Sequence, residues 1–267
     1  LPAAVFYLYF QKNNTFEVKM KHLIMIYIML VLVAGLAARA DISIDTELAI
    51  AFPGYNDVRI PNDANHDMFS LVEDLSAKPV LGTRLQVNWF VHPRHRVSLL
   101  AAPLTISPKG SFDRSIRYQN ETFLAGEQIS ATYRFDSYRL GYRYFFPKEN
   151  MIIKAVGASL KLRDAEIALE TTGKKATKTN TGFVPLLSLI AGYKLSDEIE
   201  LVLDAEGLGS PYGRAEDVYL GVNIDVNDKV SFRTGYRFLE GGSDIDEVYT
   251  FAAVHYASLG FRVKLQR

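Results

Sequence analysis

Residues 81–91, LGTRLQVNWFV, alternate between apolar and polar side chains. Val87 and Trp89 fall on one face of an extended chain, and Arg84 and Gln86 fall on the other, because successive side chains of a strand point to opposite sides. This period of two predicts a β-strand rather than a helix, whose pattern would repeat every 3.6 residues. The polar face carries an arginine at the same depth as the apolar residues. A sheet that includes this strand must therefore accommodate charge on one face and apolar side chains on the other.

The same alternation recurs along the chain. In VSFRTGYRF, residues 230–238, aromatic side chains alternate with Arg233 and Arg237. Where the phase of the pattern changes, near Asp136 and near Asp164, we expect a β-bulge to absorb the extra residue. Ten segments have this pattern: 41–53, 79–91, 95–107, 130–146, 151–169, 183–195, 199–208, 217–226, 229–239 and 248–266.

The connections between these segments alternate in length. The short ones are 92–95, 147–150, 196–198 and 226–229, and the long ones are 54–78, 108–129, 170–182, 209–216 and 240–247. Short turns at one end, longer loops at the other and an even strand count are typical of outer-membrane barrels. The sequence therefore predicts an all-β fold: a closed antiparallel up-and-down transmembrane β-barrel of about ten strands, with eight or twelve as alternatives.

Aromatic residues cluster beside the short turns, as expected for a girdle at a membrane interface. A soluble sandwich or a lipocalin-type barrel would also alternate. Neither explains charged residues along the opposite face at the depth of the aromatics. The predicted girdle residues are Trp89, Tyr142, Tyr144, Phe146, Tyr193 and Phe232.

The stretch from Met20 to Ala40, MKHLIMIYIMLVLVAGLAARA, has the layout of a secretory signal peptide. A short basic region precedes an uncharged run, and Ala38-Arg39-Ala40 provides a small-residue cleavage site. The uncharged run is shorter than the roughly 20 residues that a transmembrane helix needs. We therefore expect residues 1–19 to be an upstream overrun, 20–40 a signal peptide and 41–267 a single barrel domain.

Composition excludes several classes of function. The chain has 30 basic and 30 acidic residues, so it lacks the basic excess of a nucleic-acid-binding protein. It has no cysteine, which excludes disulfides, thiol nucleophiles and thiolate metal sites. We expect no cofactor and no metal.

The chain resembles the small bacterial outer-membrane β-barrel proteins of the OmpA and OmpW type. The alternating segments, the signal peptide and the tail SLGFRVKL, residues 258–265, carry the resemblance. The tail is similar to the C-terminal assembly signal of such barrels, although the family pattern usually ends on Phe or Trp. The resemblance implies a Gram-negative outer-membrane location after cleavage near Ala40, contact with lipid and lipopolysaccharide, recognition by the barrel-assembly machinery and a monomeric state. The signal residues are Ser258, Gly260, Val263 and Leu265.

Charged residues on the polar face would point into the lumen, where they must pair or stay hydrated because isolated burial is costly. A small barrel is nearly filled by its side chains, so we favour a filled, paired interior over an open anion-selective pore. The predicted lumen network comprises Arg84, Arg139, Arg143, Lys161, Arg163, Glu200, Asp204, Glu206, Arg233, Arg237 and Arg262.

Three possible chemical sites have weaker patterns. His255 and Ser258 are three residues apart, so they should point to opposite faces of a strand and not form a nucleophile–base pair. Asp244 and Asp246 lack a nearby histidine that a protease site would need. The oxygen-rich loop of residues 54–78 could bind calcium, but its Asn and Asp residues are also good turn formers. We predict no catalytic residue.

These patterns favour a non-enzymatic envelope protein, either structural or a narrow pore for small solutes. An alternative is a surface binding or adhesion module that acts through loops 54–78 and 108–129. A membrane-embedded lipid hydrolase or protease is a third possibility, which the poor site patterns make weaker.

Overall fold

The computed structural model describes residues 41–147 and 151–265. No helix in this part of the chain is long and apolar enough to cross a bilayer. The predicted overrun and signal peptide, residues 1–40, lie outside the described residues. The strands are β1 (Asp41–Arg59), β2 (Phe69–Ser70), β3 (Val80–His92), β4 (His95–Ala102), β5 (Thr105–Ile106), β6 (Lys109–Gly110), β7 (Ile116–Tyr118), β8 (Glu121–Phe123), β9 (Ile129–Phe145), β10 (Ile153–Thr171), β11 (Lys174–Lys194), β12 (Ile199–Ser210), β13 (Gly213–Asp225), β14 (Val230–Ile245) and β15 (Val248–Leu265).

Ten long strands close into one barrel. Their order is β10-β11-β12-β13-β14-β15-β1-β3-β4-β9, and β9 pairs with β10 to complete the circle. The first and last strands are neighbours, with Ile42 opposite Leu265. Closure removes the exposed edges that an open sheet would leave. The predicted closed, antiparallel, ten-stranded barrel is confirmed.

The two ends of the barrel differ. At the end that we call the turn end, short links join β3 to β4, β11 to β12 and β13 to β14. At the opposite end, the loop end, only residues 60–79 and 103–128 form long connections. The predicted long loops at 170–182, 209–216 and 240–247 are wrong, because strands continue through most of these residues and meet in two-residue turns. Both faces are largely polar there, so the period of two carried no hydrophobic signal.

The predicted bulges near Asp136 and Asp164 are also wrong. These two residues are opposite each other, and the β9–β10 register runs from Ala155 to Glu170 without a shift. What changes at this level is the environment of each face. On the turn-end side, outward residues such as Leu160 are apolar and inward ones such as Arg139 are charged, whereas beyond the Asp pair the inward residues are apolar. The strands therefore pass from an apolar surrounding to water while keeping their geometry.

The two long connections fold inward and form a cap, which we define as residues 60–79 and 103–128. Phe69 packs edge-on against the rings of Phe112 and Tyr118, with centroids 5.5 and 5.6 Å apart. The Tyr118 hydroxyl donates to the carbonyl of Ile167 in β10 at 2.9 Å. Burial of this apolar cluster against inward side chains of the barrel supplies the hydrophobic stabilisation of the loop end. The cap thus occupies the mouth of the barrel instead of extending from it.

Candidate functional site

The inward face of the barrel's turn-end half carries a dense set of charged side chains. The structure places nine of the predicted lumen residues in or beside one connected set of ion pairs. They come from five strands, so the set joins different parts of the wall. These residues are Arg84, Arg139, Arg143, Glu200, Asp204, Glu206, Arg233, Arg237 and Arg262.

Asp217 of β13 is the centre of this charge network. Its carboxylate accepts from Arg84 at 2.9 Å and from Arg139 at 2.7 Å through Oδ2, and from Arg237 at 2.6 Å through Oδ1. The side chain is only 3 % exposed. Sequence analysis missed Asp217, although it shares the inward parity of Tyr219. A buried carboxylate with three arginines ties β13 to β3, β9 and β14.

The network extends from this centre in two directions. Arg237 also makes paired bonds to Glu47, and Arg139 donates to Glu206 at 2.6 Å. Arg143 continues the chain by bridging Glu206 at 3.0 Å and Asp204 at 2.8 Å. Such geometry with several hydrogen bonds per ion is what buried charges require to offset desolvation.

Arg262 and Glu200 lie nearer the turn end. Arg262 forms a two-pronged pair with Asp45 at 2.7 and 2.8 Å, which joins the last strand to the first. Glu200 is 3.7 Å from Lys154, a lumen cation that sequence analysis did not single out. A second missed cation, Arg96, is buried with its guanidinium 5.0 Å from the ring centre of Phe145.

Tyr219 fills the lumen beside the network. Its ring lies under the guanidinium of Arg233, 3.7 Å from ring centroid to Cζ, and it is fully buried. Gly221 and Gly235 face each other across β13 and β14 and make room for the Tyr219 hydroxyl. A Cβ at Gly221 would collide with Tyr219, and one at Gly235 would collide with the carbonyl of Leu220 and the Tyr219 hydroxyl, so both positions require the smallest residue.

Little space remains within this section. Three small voids adjoin the network, with volumes of about 30, 20 and 20 Å³. A void of this size holds one or two water molecules. Arginine and carboxylate side chains therefore fill the lumen at the level of the charge network.

Two predicted lumen residues stand apart from the network. Lys161 and Arg163 of β10 point inward above it, where they line a larger space of about 390 Å³ that we call the loop-end cavity. Neither residue has an ion pair with a carboxylate among the described residues.

The predicted girdle residues lie on the outward face near the turn end. Tyr142 and Tyr193 are exposed, and Tyr144 packs edge-on against Phe146 with centroids 5.6 Å apart. Phe232 contacts Phe261, with centroids 5.4 Å apart, and Trp89 is partly exposed. An interfacial belt requires this placement, and the girdle role itself stays a prediction.

The residues of the predicted assembly signal lie in β15, which pairs with both β1 and β14. Ser258 and Gly260 face the lumen, whereas Val263 and Leu265 face outward. A Cβ at Gly260 would collide with the carbonyl of Thr46 on β1. This glycine therefore permits close closure of the barrel, while its part in assembly stays a prediction.

The candidate catalytic groups are not brought together. His255 faces outward and bonds the Tyr236 hydroxyl at 2.6 Å, whereas Ser258 faces inward and donates to the carbonyl of Gly235. Asp244 accepts from Asn62 at 2.8 Å. Within residues 41–147 and 151–265, no group of three or more His, Asp or Glu side chains is placed to hold a metal ion.

The cap contains a histidine–aspartate pair that acts as a structural contact. His66 contacts Asp63 through Nδ1 at 2.8 Å and the carbonyl of Gln119 through Nε2 at 3.1 Å, so both ring nitrogens are engaged. The hydrogen bond from His66 holds the pKa of the Asp63 carboxyl below its usual value. The pair fastens one half of the cap to the other.

A polar cluster also marks the outward face beyond the apolar belt. The Tyr55 hydroxyl donates to Glu240 at 2.5 Å, and Arg214 binds the same carboxylate at 2.8 and 2.9 Å. Partial burial and the hydrogen bond to Glu240 raise the pKa of Tyr55 to about 12. Charged and hydrogen-bonding groups of this kind belong outside a hydrocarbon layer.

Comparison with known proteins identifies the fold. No protein-family model and no curated protein matches the chain. The chain is similar in structure to the outer membrane protease OmpT from Escherichia coli, with a TM-score of 0.55, 8 % identity, and 84 % of this chain and 96 % of that chain covered. It also matches Ail, the attachment invasion locus protein of Yersinia pestis, with a TM-score of 0.39 and 12 % identity over 84 % of this chain and 99 % of that one.

The chain therefore has the fold of the small bacterial outer-membrane β-barrels. The apolar outward belt, the charged lumen and the asymmetry of the two ends agree with that class. At 8 % identity the likeness to OmpT concerns the fold alone.

Proposed function

We propose that this chain is a non-enzymatic outer-membrane protein whose membrane-spanning section is sealed. The observation that carries the proposal is the position of Asp217, which binds arginines from β3, β9 and β14 across the lumen. The neighbouring voids of about 20–30 Å³ are too small to form a continuous water path. Of the two forms expected from the sequence, the filled lumen supports a structural barrel over a narrow pore.

The hydrogen bonds of the two histidines support the part of the proposal that the chain is not an enzyme. His66 is bonded through both nitrogens, and His255 faces away from Ser258. A general base must reach the proton that it removes, and these rings are held by structural partners. Turnover of lipid or peptide by the purified barrel would contradict this part of the proposal.

The adhesion alternative has less support. Several large apolar side chains of loops 54–78 and 108–129, including Phe69 and Phe112, are buried in the cap, whereas Met68 and Leu124 are exposed. Two lysines at the start of β11 are engaged as well, with Lys174 bonded to Glu127 at 3.2 Å and Lys175 paired with Glu170 at 3.4 Å. The outward-facing residues of the cap are mainly polar.

We further propose that the chain resides as a monomer in a bacterial outer membrane after removal of residues 20–40. Outward apolar side chains such as Leu140 and Leu187 would contact lipid, including lipopolysaccharide, and β15 would be recognised by the assembly machinery. Barrel closure satisfies the backbone within one chain, which supports a monomer.

Planar-bilayer recording of the refolded 41–267 chain tests the sealed lumen. We expect no steady current from wild-type protein whose folding is verified by its heat-dependent gel mobility. Variants Arg139→Ser and Arg143→Ser combined should produce water-filled space and measurable current. Steady wild-type conductance that scales with salt would contradict the proposal.

A further inference from the structure

Above the sealed section, the barrel contains the loop-end cavity of about 390 Å³. This volume lies in the range of small-molecule pockets, which are mostly apolar with a few placed polar groups. Apolar side chains provide most of its wall, including Ile60 and Leu104 from the cap and Val184 and Val254 from the strands. The cavity differs from the lumen at the level of the charge network, because side chains do not fill it.

The barrel wall is split beside this cavity. The β11–β12 ladder stops at the pair Leu187–Gly207, although β11 continues to Lys174 and pairs with β10 along that whole length. Pro185, which has no amide hydrogen to donate, lies just beyond the last pair, a position suited to a strand edge. Residues from both sides of the split, including Phe183 and Leu208, line the cavity.

The lips of this opening are apolar and exposed. Phe183 is 70 % exposed and Tyr212, in the β12–β13 turn, is 71 % exposed. Leu187, at the end of the ladder, is also exposed. Exposed apolar side chains beside an entrance favour a surface that meets lipid or an apolar ligand.

The cavity also holds a buried cation that no carboxylate contacts directly; Asp217, which attracts it electrostatically, already accepts from three arginines. Lys161 is 2 % exposed, and its ammonium has no hydrogen bond or ion pair within the described residues. Its nearest polarisable contact is the Phe135 ring, with Nζ 4.5 Å from the centroid. Arg163, about 7 Å away on the same face, donates to Asn180 but leaves Nε buried and unbonded.

Two carboxylates reach the cavity lining, but both are already engaged. Glu240 is bonded to Arg214 and Tyr55, and Glu166 is 3.5 Å from Arg134. Lys161 and Arg163 therefore give the cavity a positive end. A buried cation without a partner is costly, so an anion from a ligand would relieve that cost.

We propose that the loop-end cavity binds a single-chain amphiphile with a carboxylate head. The carboxylate accepts from Lys161 and Arg163, and the hydrocarbon tail occupies the apolar cavity toward the opening between β11 and β12. Charge at one end and an apolar passage at the other select for both parts of such a ligand.

Calorimetric titration of refolded protein in an uncharged maltoside detergent tests this site. The probes are dodecanoate, dodecanol and acetate. We expect saturable one-to-one binding of dodecanoate, at least about tenfold weaker binding of dodecanol (~1.4 kcal/mol) and no saturable binding of acetate. Equal affinities for dodecanoate and dodecanol would overturn the assignment of Lys161 and Arg163 as the groups that bind the carboxylate. Saturable acetate binding would show instead a site for free anions.

Two pairs of variants locate the binding. Lys161→Gln should weaken dodecanoate binding at least about tenfold and leave dodecanol binding unchanged, whereas Lys175→Gln, on the outward face of β11, should change neither. Val184→Trp should fill the cavity and abolish binding, while Leu140→Trp, on the outward face of β9 and away from the opening, should not. If Lys161→Gln fails to show the heat-dependent gel shift, the Val184 pair decides. Unchanged binding in folded Lys161→Gln or Val184→Trp would overturn the proposal, whatever the conductance test shows.

Discussion

Asp217 of β13 accepts a hydrogen bond from Arg84 of β3 at 2.9 Å, although three strands separate β13 from β3 around the barrel. The contact crosses the lumen, so it joins two strands that share no backbone hydrogen bonds. Arg139 and Arg237 complete the coordination of the same carboxylate. This cluster accounts for the filled interior, and its energetic role can be measured.

Asp217→Asn should destabilise the barrel strongly. The amide is uncharged and leaves three buried guanidinium groups without their shared counter-ion, and breaking one buried pair alone costs ~3–5 kcal/mol. The midpoint of urea unfolding in lipid vesicles, followed by gel mobility, measures the change. Glu216→Gln, at the exposed neighbouring position, is the control. Equal midpoints for the two variants would show that the cluster does not stabilise the fold.

Gly221→Ala should reduce stability by ~1–3 kcal/mol, the usual effect of overpacking. The added methyl group would collide with the Tyr219 hydroxyl and with the carbonyl of Thr234. Gly209→Ala is the matched control, because its Cβ would first meet Arg214 Cβ at 4.0 Å. The same unfolding measurement applies, and a loss as large in Gly209→Ala would argue against the packing explanation.

The level of Asp136 and Asp164 should mark the outer boundary of the hydrocarbon region. Leu160→Arg, on the outward face below that level, should cost ~2–4 kcal/mol, whereas Ser130→Arg above it should cost ~0–1 kcal/mol. Ser130 is opposite Glu170, which also favours an added cation. Folding free energies in vesicles test the difference, and similar costs at both positions would place the boundary elsewhere.

The anchoring of the cap to β11 should weaken in acid. The amide of Leu124 donates to Glu127 at 2.9 Å and, together with Lys174, holds the pKa of the Glu127 carboxyl below its ordinary value of 4.5. Because the folded-state pKa is lowered, the contribution is present above pH 4.5 and is lost as the pH falls through the folded-state pKa.

Hydrogen exchange of the cap amides at pH 7 and at pH 3, corrected for intrinsic rates, measures that loss. Wild-type protein should lose protection around residues 119–128 at the lower pH, and Glu127→Gln should show little difference between the two conditions. Glu121→Gln in β8 serves as a control that keeps the wild-type response. A pH response in Glu127→Gln equal to that of wild type would assign the effect to another group.

The sequence by itself determined which face of each strand holds the charges. Because side chains alternate strictly along a strand, Arg139, Arg143, Arg233 and Arg237 could be assigned to the lumen from local spacing. Closure and the count of ten followed from the number of alternating segments and the lengths of their links. The same reasoning failed beyond Asp136 and Asp164, because the apolar face there changes from outward to inward while the geometry continues.

Only the tertiary structure decided which charges meet. Partners across a barrel depend on the register and stagger of all intervening strands, and a period of two contains no information about either. Asp217 could be placed inside from its parity, but not at the junction of three arginines. The early end of the β11–β12 ladder is likewise a tertiary feature, because it depends on how two strands diverge and not on the sequence of either strand.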